Sequence, residues 1–107
     1  MDSTEIRDTT TMQADADIVL NTAADRSQET SWLPDRLRGC ELDLDAEGRT
    51  IRWVRDDEQQ GRLTARPSGA GSSEVELLTS REAADDDSLR VALRALEAAV
   101  AEKLTAG

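Results

Sequence analysis

Residues 85–104 read DDDSLRVALRALEAAVAEKL, and the fold turns on this stretch. Leu89, Leu93, Leu96, Val100 and Leu104 recur at spacings of 4, 3, 4 and 4, which places them on one face of a 3.6-residue period. Ala92, Ala95 and Ala99 flank that stripe with small side chains. Asp85, Asp86, Asp87 and Ser88 load acidic and capping groups where the helix dipole favours them. Arg90 follows Asp86 in the favourable acid-before-base order. The pattern predicts a long amphipathic helix with one apolar stripe, and the rest of the chain must supply the surface that buries it.

Upstream, the periodicity changes from helical to alternating. Val75 and Leu77 alternate with Glu74 and Glu76, and Leu63 and Ala65 sit inside a short strand predicted over Arg62 to Arg66. Ile51 and Trp53 share one face of Thr50 to Arg55. Cys40, Leu42, Leu44 and Ala46 alternate with Glu41, Asp43, Asp45 and Glu47, and Gly48 supplies the turn of a hairpin. Asp56 to Gly61 reads as a polar turn and Pro67 to Ser73 as a Gly/Ser loop. Further back, Met12, Ala14, Ala16, Ile18 and Leu20 alternate with Gln13, Asp15, Asp17 and Val19, which predicts a half-buried strand over Met12 to Leu20. Residues 23–31 read as a short helix or irregular turn, followed by a bend at Pro34, which cannot sit inside a helix without losing a hydrogen bond. Residues 1–11 are polar, Thr-rich and without apolar periodicity, so a disordered leader is expected there, with a single domain over 12–107. The order of elements predicts an α+β fold, an antiparallel β-meander packed on a long C-terminal α-helix.

Composition narrows the functions. A chain of 107 residues builds one modest core. Phe and Tyr are absent and the two Trp are Trp32 and Trp53, so the interior is aliphatic. A net charge of -10, from 23 acidic against 13 basic residues, argues against nucleic acid and anionic membranes, which are bound by clustered Lys and Arg. It favours solubility, with a basic protein partner as the sharper reading. No stretch reaches the roughly 20 apolar residues of a membrane helix, and the polar, acidic N-terminal residues do not read as a secretory signal. Cys40 is the single cysteine, so no intrachain disulfide forms, and a cytoplasmic location is expected. Lys103 is the only Lys beside the arginines, a bias of GC-rich bacterial coding.

Catalytic and metal signatures are missing from the inventory. Without histidine there is no Ser-His-Asp or Cys-His arrangement and no imidazole zinc site. A lone cysteine rules out four-thiolate sites, and no cofactor is expected. Cys40, in phase with Leu42 and Leu44, reads as a small core residue. Residues 68–73 are Gly/Ser-rich but lack the Gly-Lys-Ser/Thr ending of a phosphate loop, and they join two strands. Asp85, Asp86 and Asp87 are consecutive, whereas a calcium loop spaces its acids at alternate positions. Carboxylates in the strands alternate out of phase with the apolar set and so sit in water, which leaves no obvious general acid. Arg52 and Arg66 are the strand residues that could orient an anionic or carbonyl ligand, with a solvated side chain as the plain alternative. Trp32 and Trp53 read as core or as the wall of a ligand site.

Four stretches, taken together, carry a likeness to a known family. Met12 to Leu20 with Asn21-Thr22-Ala23-Ala24 is similar to a first strand and the small-residue turn after it. Trp32-Leu33-Pro34 is similar to the tryptophan that closes a helical insertion, with Gly39 opening the next strand. Ile51-Arg52-Trp53 through Gly61-Arg62-Leu63-Thr64, and Gly71-Ser72-Ser73-Glu74-Val75-Glu76-Leu77, are similar to a closing meander, and Leu89 to Leu104 to the helix that the sheet grips. The arrangement resembles the superfamily of START domains and bacterial polyketide cyclase/dehydrase-like proteins, the helix-grip fold, in a shortened version. The resemblance implies a ligand held between the curved sheet and the long helix, with Trp32, Trp53, Arg52, Arg66, Leu93 and Leu96 as candidate ligand contacts. A narrowed sheet leaves edges uncovered, which favours a homodimer or a protein partner. Three functions follow in order: a binding domain for a small hydrophobic ligand such as a lipid or polyketide-like metabolite, a non-catalytic dimeric or adaptor protein, and a polyketide cyclase/dehydrase-like enzyme.

Overall fold

The structure, a computed structural model, describes residues 5–80 and 85–106, the last three by their backbone alone. Five strands form one antiparallel sheet in the order β1-β5-β4-β3-β2. They are β1 (Glu5–Met12), β2 (Glu41–Asp45), β3 (Thr50–Arg55), β4 (Glu58–Gly69) and β5 (Ser72–Ser80). Helices α1 (Ala16–Ala24) and α2 (Glu29–Trp32), with 3-10 turns at Arg26–Gln28 and Asp35–Leu37, lie between β1 and β2. Helix α3 (Asp86–Ala106) closes the fold. The α+β meander gripping a C-terminal helix is the architecture the periodicities predict.

The first strand lies elsewhere than expected. Glu5–Met12, most of it read as a disordered leader, is the strand, and it runs antiparallel to β5 with Glu5 opposite Ser80 and Met12 opposite Ser73. Residues 1–4 of that expected leader lie outside the described residues. Thr9, Thr10 and Thr11 are β-branched and suit a pleated edge. Met12–Leu20, read as a strand, is the end of β1, a connector and the first part of α1. Met12, Ala14 and Ala16 are indeed buried while Gln13, Asp15 and Asp17 are exposed. From Ala16 the backbone coils, however, and Val19, Leu20 and Ala23 are buried at helical spacing. Asp15 takes the N-cap position, and its carbonyl accepts from the amides of Ile18 and Val19 at 3.0 and 3.1 Å. Ser73 donates its hydroxyl to the Ala14 carbonyl at 3.0 Å, tying the connector to β5.

The β2–β3 hairpin forms as expected, with Leu42 opposite Trp53 and Leu44 opposite Ile51. Leu44 is nonetheless exposed, because β2 is the far edge of the sheet. Strands β4 and β5 run longer than predicted and meet at a turn over residues 70–71. Pro67 is tolerated within β4 because β3 pairs no further along it than Thr64, so at Pro67 the missing amide takes nothing from a second ladder.

Directly paired residues share a sheet face. The inner face carries Met12, Val75, Leu77, Leu63, Ala65, Ile51 and Trp53, all fully buried. Helix α3 lays Leu89, Leu93, Leu96 and Val100 into the same core cluster; the side chain of Leu104, the last of the predicted stripe, lies outside the described residues. Burial of each large aliphatic side chain stabilises by about 1.5–3 kcal/mol. Asp85 caps the helix, its Oδ1 accepting from the Ser88 amide at 2.8 Å. Arg90 pairs with Asp87 at 3.5 Å, one residue later than the expected Asp86. Among the described residues no helix is long and apolar enough to cross a membrane.

Candidate functional site

The segment from Asp25 to Cys40 is a strap laid across one end of the sheet. Asp25 opens it, its Oδ1 accepting from the amide and hydroxyl of Ser27 at 3.0 and 2.6 Å. These hydrogen bonds, the side-chain one first, hold the Asp25 carboxyl below its usual range. Arg26 pairs with the buried carboxylate of Glu29 at 3.2 Å and donates to the Cys40 carbonyl at 3.1 Å. Arg38 fastens the second half. Its Nε donates to the Leu33 carbonyl at 2.9 Å, its Nη2 to the Thr30 carbonyl at 3.3 Å, and its Nη1 meets Asp35 at 2.6 Å. Arg55 donates to the Arg38 carbonyl at 3.2 Å. Gly39, at φ +83°, makes the turn into β2 in a conformation other residues rarely adopt.

This strap points Trp32, Leu33 and Leu37 into the core, where all three are buried. Trp32 meets Trp53 edge to face, with ring centroids 5.7 Å apart at 66°, a geometry that adds about 0.5–1.5 kcal/mol to area burial. Leu37 sits on Gly61, where a bulge shifts the β3–β4 register after Trp53. Among the described residues neither indole nitrogen has a hydrogen-bond partner, and the same is true of the Thr79 hydroxyl. A buried polar group left unmatched costs about 1–3 kcal/mol, so these three are an expensive feature of the core.

The other side of the strap borders a cleft of about 610 Å³. Trp32, Pro34 and Arg38 line it on the strap side, and Val91, Ala92 and Ala95 on α3. Val91 is 66% exposed, the most exposed large apolar side chain among the described residues. Arg36, Arg38, Asp85 and Ser88 set polar groups around the apolar strip. Hydrogen bonds from Ser88 keep the Asp85 carboxyl below its usual range. Other open clefts indent the described surface as well. One of about 720 Å³ lies between Thr22 and Gln28 and the alanines Ala98, Ala99 and Ala101. A smaller one, about 260 Å³, lies by Asp17, Arg49 and Ser72. No group of three His, Cys, Asp or Glu side chains gathers in a metal-holding arrangement among the described residues.

Of the six residues singled out from the sequence, the structure brings four together. Trp32, Trp53, Leu93 and Leu96 belong to one core cluster, and Trp32 also lines the open cleft. Arg52 and Arg66 lie on the outer face, away from that core. Arg52 is 3.8 Å from Asp43 and Arg66 is 3.6 Å from Glu74. Their alternation with Trp53 and Ala65 already assigned them to that face. Val91, Arg38 and Leu37 were not singled out; the available signal for Val91 was a large apolar residue two positions from Leu89 and Leu93, on the side of α3 opposite the stripe. The hollow expected under α3 is occupied by Leu33, Leu37, Trp53, Leu89, Leu93 and Leu96, each essentially fully buried, and the clefts open instead beside the helix.

No family model matches the chain, and no curated protein matches it. Solved structures do. The Thermus thermophilus protein TTHA0849 superposes with a TM-score of 0.64 at 14% identity, over 92% of this chain and 98% of that one. The Zhui aromatase/cyclase from Streptomyces sp. R1128 gives 0.55 at 21% identity, over 95% and 87%. A truncated norcoclaurine synthase from Thalictrum flavum gives 0.51 at 14% identity, over 87% and 90%. At these identities the likeness is one of fold, and the fold is helix-grip.

Proposed function

We propose that this protein binds a small, largely apolar molecule at the cleft between the strap and the N-terminal half of α3. The observation that carries the reading is Val91, a large apolar side chain left 66% exposed across an apolar strip from Trp32 and Pro34. Small-molecule sites are concave, mostly apolar and set with a few polar groups, and the cleft beside Val91 has that composition. The cleft lies beside the gripped helix of a fold shared with an aromatase/cyclase and a synthase, and its volume of about 610 Å³ falls in the range of small-molecule sites. Trp32 serves the site from the core side, and Leu93 and Leu96 anchor α3 in the core behind it. Arg38, rather than Arg52 or Arg66, is the cation placed to orient a ligand's polar end.

Binding is favoured over catalysis. Asp85 lines the cleft, but its carboxyl is held below the usual range, which makes it a weak base and keeps its proton off at neutral pH. A second reading, self-association through β2, is favoured by the exposed Leu44 on that open edge. Light scattering at rising concentration separates it from the first, since a constant monomer mass excludes it.

The test is native mass spectrometry of the purified protein for a retained small molecule, followed by titration with 1-naphthol read by tryptophan fluorescence. Ala95→Phe, which fills the cleft, is expected to weaken 1-naphthol binding about tenfold or more, equivalent to about 1.4 kcal/mol. Undiminished binding in that variant overturns the assignment of the cleft.

A further inference from the structure

Of the four buried side-chain polar atoms without a hydrogen bond among the described residues, Glu29 Oε2 has its charge partner in Arg26 at 3.2 Å; the other three, Trp32 Nε1, Trp53 Nε1 and Thr79 Oγ1, are not scattered through the core. Trp53 lies directly opposite Gly61 in the β3–β4 ladder, and Gly61 directly opposite Thr79 in the β4–β5 ladder. Cross-strand partners share a face, so Trp53 and Thr79 flank Gly61 on the inner side of the sheet. Trp32 touches Trp53. The place between them is taken by Leu37: a β-carbon built on Gly61 would lie 2.9 Å from Leu37 Cδ1 and 3.2 Å from Cδ2. The glycine leaves a niche, and one leucine of the strap fills it.

Leu37 ends a three-residue 3-10 turn between Pro34 and Gly39. The strap that carries it has the open cleft on its outer side, lined by Pro34, Asp35, Arg36 and Arg38. A side chain withdrawn from the niche therefore has somewhere to go. We infer that Leu37 is a displaceable plug over an interior site, and that the site takes a small apolar molecule bearing a carbonyl oxygen, which the Trp32 and Trp53 indoles and the Thr79 hydroxyl hydrogen-bond. The class of ligand follows from the donors. An indole N–H donates and cannot accept, and a hydroxyl does either. The complement is an acceptor oxygen in an apolar frame, as in a ketone or quinone, and an amine or other cation is refused. The inference rests on the ligand-binding reading and specifies it: the ligand enters by the cleft and its oxygen ends beneath the strap.

The experiment compares two probes of one shape, acetophenone and α-methylstyrene, which differ by a carbonyl oxygen against a methylene. Each is titrated into the native protein and into Leu37→Ala, Thr79→Val and Ala95→Phe, with tryptophan fluorescence as the readout and circular dichroism to verify folding. Acetophenone is expected to bind about tenfold more tightly than α-methylstyrene, the worth of a well-placed hydrogen bond. Leu37→Ala is expected to strengthen both, and Thr79→Val to shrink the difference between them. The infrared carbonyl band of bound acetophenone is expected to fall in frequency, and to fall less with Thr79→Val, which keeps the inference testable should Leu37→Ala not fold. Equal binding of the two probes, lost in Ala95→Phe and unchanged in Leu37→Ala, overturns the interior site and leaves the open cleft standing. Binding of neither probe to any folded form overturns both.

Discussion

Leu37 packs against Gly61 so closely that a single added carbon at residue 61 would meet its Cδ1 at 2.9 Å. Gly61→Ala is therefore expected to destabilise the protein by about 1–3 kcal/mol, the usual cost of overpacking a full core. Leu37→Ala removes the obstacle while leaving its own cavity. The double variant is expected to be more stable than the sum of the two losses implies, by a coupling of about 0.5–3 kcal/mol. Urea unfolding of all four proteins measures it, and strict additivity would show that the two residues do not compete for one space.

Thr79→Val is expected to stabilise the ligand-free protein, by about 1 kcal/mol. The hydroxyl is fully buried with no hydrogen-bond partner among the described residues, and replacing it with a methyl of similar shape removes a desolvation penalty. Chemical denaturation gives the sign directly, and a loss of stability would mean that the hydroxyl is matched.

Two α3 residues should separate stability from binding. Leu96→Ala empties a fully buried position and is expected to cost about 2–5 kcal/mol. Val91→Asp, on the exposed side of the same helix, is expected to change stability by no more than about 0.5 kcal/mol while weakening 1-naphthol binding. Paired thermal melts and titrations test the contrast.

Arg38 is the clasp of the strap, with contacts to Thr30, Leu33 and Asp35. Lysine cannot reproduce its planar fork. Arg38→Lys is expected to speed amide hydrogen exchange at residues 33–40 without changing the exchange of β4 and β5.

Acid should loosen the caps. Both Asp25 and Asp85 have their carboxyls lowered from the usual value of 3.8 by hydrogen bonds to Ser27 and Ser88. The folded form then binds fewer protons than the unfolded form, so their contribution is present above about pH 4 and fades as the pH falls through the lowered values. Asp85→Asn keeps an acceptor for the Ser88 amide but does not titrate. Its stability is expected to fall less steeply with acid, as followed by urea midpoints from pH 6 downward.

Much of this architecture was legible in the residues. The α3 stripe and the β2–β3 hairpin carry strong periodicities because one face of each meets the core. β1 was hidden because two of its inner-face positions, Asp8 and Thr10, are polar, so alternation fails although the strand is paired along its full length. Met12–Leu20 misled for the opposite reason. Ala14 and Ala16 are buried in a connector and a helix start, and they extend an alternation that no sheet continues. The site was half legible. Trp32, Trp53, Leu93 and Leu96 lie in one core, and Arg52 and Arg66 fall outside it by the same alternation that identified their strands. The meeting of Leu37 with Gly61 depends on a bulge and a 3-10 turn, and neither leaves a periodic trace.

Pairing β1 with β5 has a kinetic consequence. Glu5 must find Ser80, and α3, which packs against β1, comes from still later in the chain. Contacts of such long sequence separation close slowly, whereas the β2–β3–β4–β5 meander is assembled from neighbours. During synthesis the first strand therefore waits, unsheltered, until β5 has left the ribosome, and its run of threonines keeps that waiting segment hydrophilic.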